Sequence, residues 1–281
     1  MAKSSVALGA ARHGKGTMTR FASPVSALII CVNEADMIGP CLESIDFCAE
    51  IIIVDSGSTD GTIECVQSYI AKGYPITLLH NDWQGFPRQR QFSLDHGTQP
   101  WCLSIDPDER VDDQLRQSIV AITQAADDKI SGWYIRRRDW LKGYGYAHRW
   151  VLHNRLMRLF RRQGATMDLT ARVHEAFHVP GETGTIEKGV LLHRREISVE
   201  EDLARANAYS GLKAVTLVEK GKKPGLVRLV LSPFGNFLKF YLAKRYFLCG
   251  RHGFVYSMSV MIYSFATEAK LYEASERNDP V

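Results

Sequence analysis

Residues 51–62 read Ile51-Ile52-Ile53-Val54-Asp55-Ser56-Gly57-Ser58-Thr59-Asp60-Gly61-Thr62: four consecutive β-branched residues, then an abrupt acid, then a turn of small residues. An unbroken apolar run of this length predicts a strand buried on both faces, because a half-exposed strand alternates apolar with polar residues. Toward the N-terminus the pattern repeats in Ala27-Leu28-Ile29-Ile30-Cys31-Val32, which ends in Asn33-Glu34. Between the two runs, Met37, Ile38, Cys41, Leu42 and Ile45 fall at helical spacing. Toward the C-terminus, helix-spaced Ile63, Val66 and Ile70 lead to Ile76-Thr77-Leu78-Leu79, and Trp101-Cys102-Leu103-Ser104-Ile105 ends in Asp106-Pro107-Asp108-Glu109. Strand and helix in alternation predict a doubly wound α/β layout around a mainly parallel sheet. Pro40, inside the first helical stretch, predicts a late start or a kink there.

The chain has 281 residues, 45% hydrophobic and 23% charged, which excludes disordered, collagenous and coiled-coil classes. A net charge of +4 argues against a dedicated nucleic-acid binder, whose domain is strongly basic. Six cysteines without Cys-x-x-Cys spacing indicate neither a zinc site nor a disulfide framework, and suit a reducing cytoplasm. Residues 1–24 are small and basic and lack the apolar core of a signal peptide, so they read as a flexible leader. Their Gly14-Lys15-Gly16 is no phosphate loop, since no strand precedes it. No stretch is expected to reach the length of a spanning helix, the best C-terminal candidate being interrupted by Arg251-His252-Gly253. After about residue 130 the alternation fades into Trp133-Tyr134-Ile135-Arg136 and Leu156-Met157-Arg158-Leu159-Phe160, strands flanking an aromatic, Gly-rich loop at 141–150. From Ser198, whose partner Glu201 completes a capping box, the chain turns helical over about 198–219, 233–249 and 254–273. This divides it into an α/β unit at 25–197 and a helical region at 198–281.

Ligands of such sheets bind beyond the carboxyl ends of the strands, and three of those ends are acidic here: Asn33-Glu34, Asp55 with the turn after it, and Asp106-Pro107-Asp108-Glu109. Each alone is also explained as a helix cap, a turn or a polar loop. Together, converging acids call for bound cations, and two carboxylates one residue apart suit a magnesium or manganese ion shared with a diphosphate.

In that order these segments resemble the signature of the family-2 inverting glycosyltransferases, which have the GT-A fold. Arg172-Val173-His174-Glu175, Leu192-His193 and Ser198-Val199-Glu200-Glu201-Asp202 are further similar to bacterial lipopolysaccharide core glucosyltransferases, over about residues 26–273. The resemblance implies UDP-glucose as donor, an inner-core heptose as acceptor, and Mg2+ or Mn2+ as cofactor. It implies that Asn33, Glu34, Asp55 and Asp106 meet the nucleoside, that Asp108 and His193 hold the metal, and that Glu175 is the general base. Pro107 departs from the small residue usual there and stiffens the loop without removing a ligand. Asp168 competes with Glu175 as base, and Arg88 and Arg90 are open to either a phosphate or a neighbouring acid as partner.

From 220 to 267 there is no acid, while eight Lys and Arg residues interleave with Phe234, Phe237, Phe240, Tyr241, Tyr246, Phe247, Phe254 and Tyr256. That composition reads as an interfacial element for an anionic membrane; the resemblance implies that this is the inner face of the inner membrane, where a lipid-linked saccharide acceptor would be met. Its alternative is core aromatics ringed by snorkelling cations. Competing functions are transfer to a polyprenyl phosphate or another lipid-linked saccharide, and a membrane-surface module without catalysis. A nucleotidyltransferase is disfavoured because Asn33-Glu34 stand where a Gly-rich, Arg-containing loop belongs.

Overall fold

The unbroken apolar runs form the centre of a sheet flanked on both faces. The computed structural model describes residues 20–125, 129–169 and 177–277. In its first half, β1 (Ser23–Cys31), α1 (Ala35–Ser44), β2 (Cys48–Asp55), α2 (Thr62–Ala71), β3 (Ile76–His80), α3 (Phe86–His96) and β4 (Trp101–Ser104) alternate as the sequence predicts. Of the expected leader, residues 1–19 lie outside the described residues, and β1 begins at Ser23. Pro40 sits inside α1, which neither starts late nor stops there.

Parallel pairing sets Ile29 against Ile53 and Leu28 against Ile52. Because neighbouring strand residues point to opposite faces, Ile29, Ile51 and Ile53 pack with Ile38, Leu42, Val66 and Ile119 on one side. Leu28, Ile52 and Val54 meet Leu94 and Phe160 on the other. Each such fully buried side chain contributes about 1.5–3 kcal/mol.

The second half enlarges the same sheet. β5 (Glu109–Val111) and α4 (Asp113–Gln124) are followed by β6 (Ile130–Leu141), the short β7 (Gly145–Tyr146), β8 (Asn154–Arg161), β9 (Thr166–Met167), β10 (Phe177–His178), β11 (Glu182–Thr185) and β12 (Leu191–His193). The strand order is β3-β2-β1-β4-β8-β6-β12-β5, with β7 and β11 also on β6 and with β9 and β10 paired apart. β8 runs antiparallel to both β4 and β6, so Arg158 on β8 is carried next to the end of β4.

The remaining helices are α5 (Val199–Glu219), α6 (Leu226–Leu238) and α7 (Gly250–Arg277), and Ser198 and Glu201 form the capping box of α5. α6 starts earlier than the spacing suggested and takes Pro233 into its interior; it continues into a π turn, Lys239–Ala243, and a 3-10 turn, Tyr246–Cys249. Arg251-His252-Gly253 lie in the first turn of α7 rather than breaking a helix. Glycine is required at 253, since a Cβ there would lie 1.8 Å from the Tyr246 carbonyl oxygen.

The expectation that no stretch reaches spanning length is overturned for 226–243, an 18-residue helical window with mean hydropathy 1.2 and 6% of it buried. Arg228 and Lys239 are its only charged residues; the helix takes in 226–232, which the expected helix over about 233–249 left out, and runs on through the π turn. The aromatic residues of this region divide between two environments. Tyr246, Phe240 and Tyr256 pack with Leu141, Ala147 and Val151, which precede β8 in the sheet-forming part of the chain. Phe234, Phe247 and Phe254 are exposed.

Candidate functional site

The carboxyl ends of β1 and β2 are tied into one rim by main-chain donors. Asn33, in the left-handed region at φ 55° that asparagine tolerates, donates its N–H to Ser58 Oγ at 2.9 Å and accepts from Thr59 N at 2.8 Å. Glu34 N donates to Thr62 Oγ1 at 2.8 Å and Ala35 N to Asp60 Oδ2 at 3.1 Å, so the turn after β2 caps the start of α1. Asp55 is buried and accepts from Gly57 N at 2.7 Å and Ser58 N at 2.9 Å, which makes it the brace of its own turn.

Below that rim lies a lattice of acids and arginines. The Asp106-Pro107-Asp108-Glu109 turn closes with Glu109 N donating to Asp106 O at 2.9 Å, and proline pre-sets the backbone of its second position. Arg90 on α3 takes the acid partner rather than standing free: it donates to Asp106 Oδ1 at 2.7 Å and to Ser104 Oγ at 3.0 Å. Arg158 donates to Asp106 Oδ2 at 2.6 Å and to Glu109 Oε1 at 2.7 Å. Burial opposes ionisation of Asp106, but Arg158 and Arg90 outweigh it and hold that carboxyl well below the usual range. For Glu109 burial wins, and its carboxyl is raised despite Arg158.

Asp108, 3% exposed, faces outward from this lattice. Its Oδ2 lies 3.3 Å from His193 Nε2 and accepts from Arg195 Nη1 at 2.9 Å, and the same Arg195 nitrogen lies 3.4 Å from Glu34 Oε1. His193 Nδ1 lies 3.0 Å from Asp139, which Arg137 pairs at 2.9 Å. Burial works against a charged His193, but hydrogen bonds to Asp108 and Asp139 prevail and push it up to about 9. Asn33, Glu34, Asp108, Arg195 and Arg205 line a cavity of about 260 Å³ over this row.

The converging acids are therefore compensated by the chain's own cations. Glu34, Asp106, Asp108, Glu109 and Asp139 are met by Arg90, Arg137, Arg158, Arg195 and His193. The inference that such acids require a bound metal does not follow from repulsion alone. The donor set nevertheless fits one. Asp108 Oδ2 and His193 Nε2, 3.3 Å apart, stand at the separation of two neighbouring ligands on one ion, and Asp139 supports the ring from its far nitrogen. No group of three or more such side chains forms a complete cage among the described residues. Magnesium-type ions bound by one or two protein donors take their remaining oxygens from phosphates and water.

Glu175, with His174, falls outside the described residues. Asp168 is exposed, directly after β9. Arg158, Arg137, Asp139 and Arg195 were missed by sequence reasoning. For Arg158 a signal existed, since one cation inside Leu156-Met157-Arg158-Leu159-Phe160 marks a charge that its strand buries.

Residues 26–178 match glycosyl transferase family 2. The chain is 44% identical, over 89% of its length and 92% of the relative's, to the lipopolysaccharide core biosynthesis glycosyltransferase LpsC of Rhizobium meliloti (strain 1021). A glycosyltransferase of Rickettsia bellii (strain RML369-C) is 29% identical over 91% of this chain and 88% of the relative. Among solved structures, the mannosyltransferase PcManGT from Pyrobaculum calidifontis, in complex with GDP-Man and Mn2+, aligns with TM-score 0.54 at 15% identity. That alignment covers 89% of this chain and 87% of the other, and gives the same GT-A architecture. By the family match and the 44% identity, this chain belongs to glycosyl transferase family 2.

Proposed function

We propose that the chain is an inverting, divalent-metal-assisted glycosyltransferase that moves glucose from UDP-glucose to the inner-core heptose of a lipopolysaccharide precursor. The observation that carries the metal and donor assignment is the Asp139–His193–Asp108 row opening into a cavity whose rim is the paired loops at Asn33 and Ser58. The acceptor rests on the 44% identity to LpsC.

In this reading Asp106 and Asp108 have different tasks. Asp106, gripped by two arginines, fixes the turn, whereas Asp108 and His193 hold Mg2+ or Mn2+. When bound, the ion supplies neutralisation of charge on the departing nucleoside diphosphate. Asn33 and Glu34 present the rim to the nucleoside, and Asp55 keeps that rim in shape. Glu175 removes the proton from the acceptor hydroxyl, with Asp168 as the competing base.

The test is transfer from UDP-glucose to a heptose-terminated acceptor, with the product's anomeric configuration read by NMR. Asp108→Ala should abolish transfer and metal-dependent UDP binding together. Glu175→Gln should keep UDP binding and lose about 10²–10⁴-fold in rate. Near-normal turnover in Glu175→Gln, with Asp168→Asn inactive, moves the base to Asp168. Transfer to a polyprenyl phosphate but not to the heptose acceptor gives the runner-up reading.

A membrane-surface partner belongs to the same proposal. One side of α6 is bonded to α7 through Arg228–Glu268, Ser232–Ser264 and Asn236–Ser264, so the other turns outward. That side carries Leu226, Val227, Leu231 and Phe234, all more than half exposed. Lys222, Lys223, Lys239 and Arg251 flank it in the acid-free segment; Lys244 instead reaches Asn154 of the α/β unit. An apolar stripe edged by cations suits an anionic bilayer surface, and the ties to α7 favour lying along it over spanning it. Changing the four flanking cations to Gln should release the protein from anionic liposomes, and salt should do the same.

A further inference from the structure

Arg195 sits where a metal-binding reading leaves no room for it. Its Nη1 shares a single oxygen, Asp108 Oδ2, with His193 Nε2, at 2.9 and 3.3 Å. A divalent ion holding that oxygen at about 2.1 Å would face the guanidinium across one atom, and the repulsion between the two cations sets them in competition for it. Arg195 therefore competes for the ligand that the donor site needs. It is also placed to leave. It lies between β12 and α5, outside regular structure, its side chain is 38% exposed, and it opens onto the 260 Å³ cavity. A planar guanidinium released there finds a natural partner in phosphate oxygens, which it engages two at a time.

We propose that Arg195 is a resident cation exchanged for the metal. In the free enzyme it bridges Glu34 and Asp108 and keeps the two acids compensated; on donor binding it gives Asp108 to the ion and passes to the diphosphate. Besides these ion pairs and hydrogen bonds, the exchange needs His193 Nε2, which is protonated while it is held between Asp108 and Asp139, to give up its proton to water so that its lone pair is free for the ion. The inference rests on the metal assignment of Asp108 and His193 and adds a residue to it. Its consequence is thermodynamic coupling. Metal binding must first displace Arg195, and the nucleotide recovers the displaced guanidinium, so each raises the affinity of the other by the same factor.

The experiment is calorimetry with Mn2+ alone, UDP alone and UDP at saturating Mn2+, on the wild-type chain and on Arg195→Gln and Arg195→Lys variants shown to be folded by circular dichroism. Arg195→Gln should bind Mn2+ alone more tightly and UDP with Mn2+ more weakly, by about tenfold each, within the usual range of coupling between sites. Arg195→Lys should keep Mn2+ affinity near the wild-type value and still lose UDP affinity, since a lysine retains the charge but not the fork. Opposite signs for the two ligands are the signature, because a structural lesion would weaken both. Loss of both affinities in Arg195→Gln, or no change in either, overturns the proposal. Mn2+ binding to none of the proteins, with UDP bound equally well without metal, removes the metal reading and this proposal with it. Equal Mn2+ binding by wild type and Arg195→Gln removes this proposal alone.

Discussion

The carboxyl ends of the sheet and the outer face of α6 solve opposite problems. At the sheet end five acids and five cations are packed within the protein, each compensated by a neighbour, with Glu109 wholly buried. On α6, cations and large apolar side chains stand exposed in a segment without acids. The first region draws its order from inside the fold, and damage there is felt as stability. On the proposed membrane-surface reading the second keeps its interactions for something outside, and damage there is felt as lost association.

The strongest way to break this contrast is to remove Arg158, which serves two acids at once. Among the described residues, Arg158→Ala leaves Glu109 one cation, Arg137 at 3.8 Å, beside the N–H that Asp106 donates to it at 3.0 Å, and weakens the compensation of a buried carboxylate. Unfolding by urea should show a loss of about 3–5 kcal/mol; a loss below about 1 kcal/mol would mean that water, not the arginine, compensates these acids. Next is the junction between the regions. Gly253→Ala drives a methyl into the Tyr246 carbonyl and should cost about 1–3 kcal/mol by overpacking. A Tm equal to that of the wild type would show that the α7 start is not held against the turn.

His153, beside the same junction, sharpens the comparison through pH. Burial holds its imidazole down to about 4, and neither ring nitrogen has a hydrogen-bond partner among the described residues. The unfolded chain, with an ordinary histidine pKa near 6.5, binds more protons between these values. Stability should therefore be full above about pH 6.5 and fall as pH drops toward 4, by on the order of 1 kcal/mol once solvent contact is allowed for. His153→Phe should flatten that part of the pH profile, and an unchanged slope would assign it to other groups. The smallest effect belongs to α6. Leu231→Ser with Phe234→Ser should shift unfolding free energy by no more than about 0.5 kcal/mol per site, while reducing retention on anionic liposomes. A large destabilisation would instead make α6 part of the core.

Much of this contrast is written in the sequence, though unevenly. Ile51-Ile52-Ile53-Val54 and its repeats are legible because a strand buried on both faces permits no polar residue, so composition alone marks it. The acidic strand ends are legible for the same reason, since each stops an apolar run. Their compensation is not, because Arg90, Arg137, Arg158 and Arg195 come from four separate elements or loops that only the sheet order β4-β8-β6-β12 brings together. Repulsion among the acids at the strand ends looked like a demand for metal because their partners lay 16 to 161 positions away along the chain. The tail failed differently. Whether Phe234 or Tyr246 faces out depends on the π turn at Lys239–Ala243, which shifts the helical phase between them, and no residue pattern announced that turn.

The laced rim has a consequence for inheritance. Asn33, Glu34 and Ala35 each spend a main-chain or side-chain bond on Ser58, Thr59, Asp60 or Thr62, so each loop helps to hold the shape of the other. Substitutions at Asn33 and Ser58 should be epistatic, departing from additivity by about 0.5–3 kcal/mol as expected for residues sharing one network. A change tolerated in one loop would be tolerated only on the background of a matching change in the other. The two segments, separated by a helix and a strand in the gene, therefore drift as one cassette, and a chimera that takes only one of them from a relative inherits half a joint.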